Sequence, residues 1–120
     1  MATIAYTSEY VTTFRDRVVI VTWEGMTFSG SDVGTPIEMP GFADRSVQIT
    51  GTFGSGGSVK IEGSNDGVNY ATLNSPQGNA LDIATAKIEA IMELTRFVRP
   101  RITAGNGSTA LNVIMLIKRG

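Results

Sequence analysis

Carboxylates such as Glu24, Asp32, Glu38, Asp44, Glu62 and Asp82 could do acid–base work, and they are scattered along the chain. Glycoside hydrolysis needs two carboxyl groups roughly 5–9 Å apart, and no spacing in the sequence says which two would meet. Histidine and cysteine are both absent. That removes Ser-His-Asp and Cys-His nucleophile systems, the common zinc sites and any disulfide framework. Carboxylate catalysis and an oxygen-only metal site would pass this filter. No catalytic pair can be named, and the expectation is a protein with no enzymatic activity, no cofactor and no metal.

Three polar clusters come next. Gly54-Ser55-Gly56-Gly57-Ser58 has the glycines of a phosphate loop. It lacks the Gly-Lys-Ser/Thr ending and runs into a strand pattern, so no helix N-terminus faces an anion. It reads as a turn. Asn65, Asp66 and Asn69 offer oxygens to calcium, but calcium takes roughly six to eight, and no glutamate is spaced to complete the set. Turn chemistry explains them better, because Asp bonds its own backbone and Gly67 accepts positive φ. Arg96, Arg99 and Arg101 surround Phe97. Three arginines neutralise few phosphates and the chain is not basic, so nucleic acid is not expected. Charge-assisted bonds to carboxylates fit better, within the chain, between subunits or on a protein partner.

The elements that must hold these residues read as strands. Residues 1–16 are rich in Thr, Ser and Tyr and form either an N-terminal arm or a first edge strand; residues 17–120 form a single domain. Arg17–Trp23 is a β-branched run bounded by Glu24-Gly25, a strand signal. Val47, Ile49, Gly51 and Phe53 alternate with Gln48, Thr50 and Thr52; Val59 and Ile61 alternate with Lys60 and Glu62. Gly54–Ser58 joins these two strands at hairpin length, and Asn65-Asp66-Gly67 turns the chain into a third. Residues 85–95 show helical periodicity at Ile88, Ile91 and Met92, with Thr85 placed as a cap; a single turn or a short strand fits equally. In the next strand Val98, Pro100 and Ile102 face one way. Pro100, lacking an amide donor, predicts a sheet edge or a bulge. Asn106-Gly107 predicts a last hairpin turn. Trp23 reads as core.

Short strands with frequent turns define an all-β fold, an antiparallel β-sandwich of jelly-roll or immunoglobulin-like kind. A chain of 120 residues with 42% apolar residues suits one such domain. No run approaches the ~18 apolar residues of a spanning helix, so a soluble chain with no membrane partner is expected. In Val18–Val21 and Leu111–Ile117 both strand faces are apolar. A small two-layer sandwich covers only one of them. The other must meet the N-terminal arm, the 85–95 segment or another subunit. Charge is divided too: residues 1–86 carry nine acids and four bases, residues 87–120 two acids and six bases. Such polarity suits ordinary surface scatter, a charged partner or self-association.

Gly51–Gly54, Ile61–Gly67, Pro76–Asn79, Arg96–Pro100 and Asn106–Ile117 together resemble the small capsid decoration, or cement, proteins encoded beside the major capsid protein of tailed phages. The resemblance spans about residues 45–120. It implies a homo-oligomer, trimer or dimer, that binds the major capsid protein on the outer surface of the virion and stabilises contacts between capsomers. The motifs are turn and strand formers, so contact residues do not carry over. Candidates for capsid or intersubunit contact are Tyr6, Tyr10 and Phe14 in the weakly patterned N-terminus, with Arg96, Arg99 and Arg101. Two other readings remain: another virion β-domain from the tail or connector, and a carbohydrate-binding module. "SNDGVNYATL" is similar to a ten-residue stretch of discoidin-type carbohydrate-binding domains, with Tyr70 as its packed aromatic, so a host polysaccharide is a further possible partner.

Overall fold

A computed structural model of the protein describes residues 2–11, 15–38 and 42–119. The regular structure of these residues is all strand: β1 (Thr3–Ile4), β2 (Tyr6–Val11), β3 (Arg15–Thr27), β4 (Val33–Gly34), β5 (Ile37–Glu38), β6 (Phe42–Thr52), β7 (Ser58–Ser64), β8 (Ala71–Thr72), β9 (Asp82–Ile83), β10 (Lys87–Ala90), β11 (Phe97–Ala104) and β12 (Ala110–Arg119). They form two packed sheets, a β-sandwich. One sheet has five strands in the order β10-β6-β12-β3-β2, antiparallel throughout. The other has seven, in the order β1-β4-β11-β7-β8, with β5 also beside β11 and β9 also beside β7. The β1–β4 pair is parallel.

Alternation along the long strands explains the core, since successive side chains point to opposite faces. Val19, Val21 and Trp23 of β3, Val47 and Ile49 of β6, and Val113, Met115 and Ile117 of β12 meet Val59 and Ile61 of β7 and Val98 and Ile102 of β11 in one buried cluster. Trp23 is fully enclosed, and its indole Nε1 donates to the Thr35 carbonyl at 3.0 Å, which removes the cost of burying that N–H.

Several links differ from the sequence reading. Gly54–Ser58 does not close a hairpin, because β6 lies in the five-stranded sheet and β7 in the seven-stranded one. Asn106-Gly107 likewise links β11 to β12 across the sandwich. A short glycine-rich link allows either geometry, and pairing was decided by which partner each strand's apolar face could cover. Residues 87–90 are a strand paired with β6, not part of a helix. Ile91 is buried while Ile88 and Met92 are 63% and 62% exposed, so the three do not share a face.

The long strand β3 continues past Gly25 instead of stopping there. The register with β12 steps from Leu111–Met26 to Val113–Trp23, one residue more on β3 than on β12. This β-bulge puts Gly25 at φ 67°, and its amide donates to Asn112 Oδ1 at 3.0 Å, so glycine there bends the strand without ending it.

Pro100 lies inside a sheet, not at an edge, as β11 is flanked by β7 on one side and by β4 and β5 on the other, while the alternative of a bulge in this strand is met by a register shift against β7 between Ile102 and Ala104. The Ile102 amide donates toward β4, to the Asp32 carbonyl at 2.9 Å. Pro100, two residues earlier, faces the same side, where the chain has left β4 and not yet begun β5. The missing donor therefore costs no ladder bond.

That gap also brings Gly34 against the core. A Cβ on Gly34 would sit 2.6 Å from Pro100 Cδ and 2.7 Å from Trp23 Cδ1, both ring atoms. Gly34→Ala should lower unfolding stability by about 1–3 kcal/mol through overpacking, read as a reduced midpoint in urea with an unchanged slope.

Candidate interaction surfaces

The outward face of the seven-stranded sheet is charged and largely satisfied by its own chain. Glu62 on β7 is 4% exposed and lies between two arginines of the neighbouring strand. Arg99 Nε donates to Glu62 Oε1 at 3.1 Å, and Arg101 reaches Oε2 through Nε at 2.9 Å and Nη2 at 2.8 Å. The Arg99 guanidinium also stacks 3.7 Å from the centre of the Tyr70 ring, a cation–π contact. Arg96 pairs with Glu38 and packs 5.0 Å from the Phe97 ring. All three arginines are thus engaged within the chain, with Arg96 the most exposed.

Asn65-Asp66-Gly67 forms the turn its residues predict. Asp66 Oδ1 accepts from Ser64 Oγ and from the amides of Val68 and Asn69, each at 2.8 Å, and Oδ2 accepts from Asn69 Nδ2 at 2.9 Å. Gly67 takes φ 80°. These donors, the Asn69 amide foremost, hold the Asp66 carboxyl well below its ordinary range. Glu93 is depressed in the same way by the Asn74 amide and side chain, each 2.7 Å away. Among the described residues no group of three acidic side chains is placed to hold a metal ion.

The outward face of the five-stranded sheet is different. Cross-strand partners share a face, so the register defines its rows. Ile88, Gln48, Ile114, Thr22 and Thr7 form one row; Ala90, Ser46, Leu116, Ile20 and Glu9 form the next; Asp44, Lys118 and Val18 form a third. Apolar side chains occupy the middle, and Ile88 and Leu116 stand 63% and 43% exposed. Among the described residues, neither segment offered by the sequence as a cover lies over it. The N-terminal segment joins the sheet as β2 at one edge, and residues 87–90 join as β10 at the other. Both widen the face. The residues that make it were visible as two-sided apolar runs in β3 and β12. Ile88 was missed because its spacing from Ile91 imitates a helix.

The N-terminal candidates separate. Tyr6 is half-buried, edge-on to Trp23 with ring centres 5.7 Å apart, while Tyr10 is 59% exposed on the same strand. Phe14 lies outside the described residues. Arg45, with the parity of Val47 and Ile49, points inward and is 5% exposed. Burial lowers its pKa and the charge of Glu93 partly offsets this.

No protein-family model matches the chain, and no curated protein matches its sequence. A solved structure, the SPBc2 prophage-derived protein YomS, is similar in fold. It superposes with a TM-score of 0.58 over 93% of this chain and 91% of that one, at 10% sequence identity. The likeness is one of architecture.

Two outcomes follow from the charged groups. Glu62→Ala strands two guanidinium groups, and stability should fall by about 1–3 kcal/mol, less than for a fully enclosed pair because both arginines reach solvent. Urea unfolding measures this. The folded-state pKa of Asp66 and of Glu93 lies below the unfolded value, so the stability they add is present above about pH 4 and is lost as pH falls through the folded values. Thermal midpoints should drop on acidification below about pH 4, and Asp66→Asn should flatten that dependence.

Proposed function

We propose that the protein is a phage capsid decoration protein, binding the outer surface of the head as a homo-oligomer and stabilising contacts between capsomers. The observation that carries this reading is the apolar face of the five-stranded sheet, uncovered among the described residues, set opposite a charged face whose three arginines are paired within the chain. A domain so divided is suited to self-association as the unit of an adhesive assembly, since burying the apolar side lowers its free energy while the charged side is already satisfied in water. The resemblance of residues 45–120 to decoration proteins supplies the partner, and the prophage origin of YomS agrees with a phage setting. A cement protein acts by mass action: it binds the assembled lattice and not free subunits, so occupancy adds directly to shell stability. Many modest contacts repeated over the lattice suffice.

Catalysis forms no part of this role, and the virion surface is where it is exercised. The glycan reading is less favoured. A sugar platform needs aromatic rings side by side on one face, but Tyr6 packs on Trp23, Tyr70 lies under Arg99, and Tyr10 stands apart on the β2 edge.

Purified protein mixed with expanded, undecorated heads of the major capsid protein encoded beside it should give regular outer density in cryo-electron micrographs. Bare heads at saturating protein would overturn the reading. Tyr10→Ala tests the N-terminal contact: at this exposure folding stability should change by less than about 0.5 kcal/mol, while occupancy at limiting protein should fall.

A further inference from the structure

We propose that the outward face of the five-stranded sheet is the contact between two copies of this chain, packed sheet on sheet about a two-fold axis near Leu116. This deepens the homo-oligomer part of the preceding reading by naming the surface, and it stands or falls without a capsid.

Three observations favour a second copy as the occupant. The first is relief. Leu116 is a ridge, 43% exposed, that borders three hollows on the same face. One, of about 580 Å³, is lined by Val11, Arg17, Val18 and Lys118. Another, of about 240 Å³, is lined by Ile20, Ile88 and Ile114 with Ser46 and Gln48. The third, of about 210 Å³, lies beside Asp44. A knob and a hole on one surface make that surface its own complement. A two-fold rotation seats each Leu116 in the other copy's hollow, as an isologous contact requires.

The second is charge. The middle of the face, from Ile88 and Ala90 through Ile114 and Leu116 to Ile20, carries no ionised group. Glu9 sits at the β2 edge, Asp44 is the cross-strand neighbour of Lys118 at one end, and Arg17 lines the hollow at that end with Lys118. An uncharged centre with both signs at its rim can meet an identical face without like-charge repulsion, whereas a strongly acidic or basic face could not.

The third is size. Over the lengths of its five strands, at about 4.8 Å between strands and about 3.4 Å per residue, the whole sheet, polar edges included, has a flat extent of roughly 700 Å². That is close to the roughly 800 Å² per partner of a stable protein–protein contact. Aligned sheet packing, at about 10 Å between sheets, would extend the two-layer sandwich to a four-layer assembly with the charged faces outermost.

Sedimentation velocity on the purified full chain tests this without any other component. The wild-type protein should sediment as a dimer across the micromolar range. Leu116→Glu should shift it to monomer, with the far-ultraviolet circular dichroism of the wild type. Should Leu116→Glu not fold, Leu116→Thr keeps a strand-forming residue and should still weaken dimerisation at least tenfold. Lys60→Glu, on the opposite sheet, should leave the dimer intact. A monomeric wild type, or a dimer indifferent to Leu116→Thr and broken by Lys60→Glu, overturns the proposal. The capsid reading fails separately: a dimer through this face that leaves heads bare keeps the inference and removes the cement role. A monomer that decorates heads does the reverse.

Discussion

A sheet whose inner strands β3 and β12 are apolar on both faces, in a sandwich with only one other sheet, is the constraint on which this molecule turns. Burying one face builds the core around Trp23, Ile49 and Met115. The same alternation then delivers Ile20, Ile114 and Leu116 to the other side, because neighbouring residues of a strand cannot share a face. No adjustment of register removes them, since a slip by one residue would exchange the two sets and expose the core. Fold and exposed apolar face are two outcomes of one pattern.

The opposite sheet shows how charge is kept from competing with that surface. Glu62 draws Arg99 and Arg101 into a three-ion cluster, and Tyr70 covers one guanidinium face. Grouped in this way, the arginines that look in sequence like a basic docking site become part of the sheet's own cross-strand packing. The Asp66 turn behaves alike, spending both carboxylate oxygens on nearby N–H and O–H donors.

The sequence was most informative where period and turn chemistry agree. The alternation of Val47 and Ile49, of Val59 and Ile61, and of Val98 and Ile102 put each of these residues in the core, and Asn65-Asp66-Gly67 turned the chain as expected. What could not be read was partnership. Gly54–Ser58 has the same length whether it closes a hairpin or crosses to the other sheet, and only the placement of β12 between β6 and β3 decides it. Of the two outcomes Pro100 predicts, the register shift in β11 is present and the sheet edge is not: a proline excludes a sheet interior only where its neighbour needs the missing donor, and the break between β4 and β5 is invisible from β11 alone. The apolar face was half legible. Two-sided runs announced it, but the edge strands that enlarge it had been candidates to cover it.

The position of β12 has a consequence for biogenesis. It follows every other strand of the sandwich in sequence, yet it is the middle of the five-stranded sheet, with β6 on one side and β3 on the other. During synthesis β3 and β6 emerge long before the strand that joins them, so their β-branched edges must wait unpaired, the condition in which nascent strands are most prone to wrong partners. The sheet closes only when Leu111–Ile117 arrive, and closure then proceeds on both flanks together. The arrival of β12 is in effect the trigger for the sheet's assembly, which leaves little room for a half-built sandwich to adhere to anything.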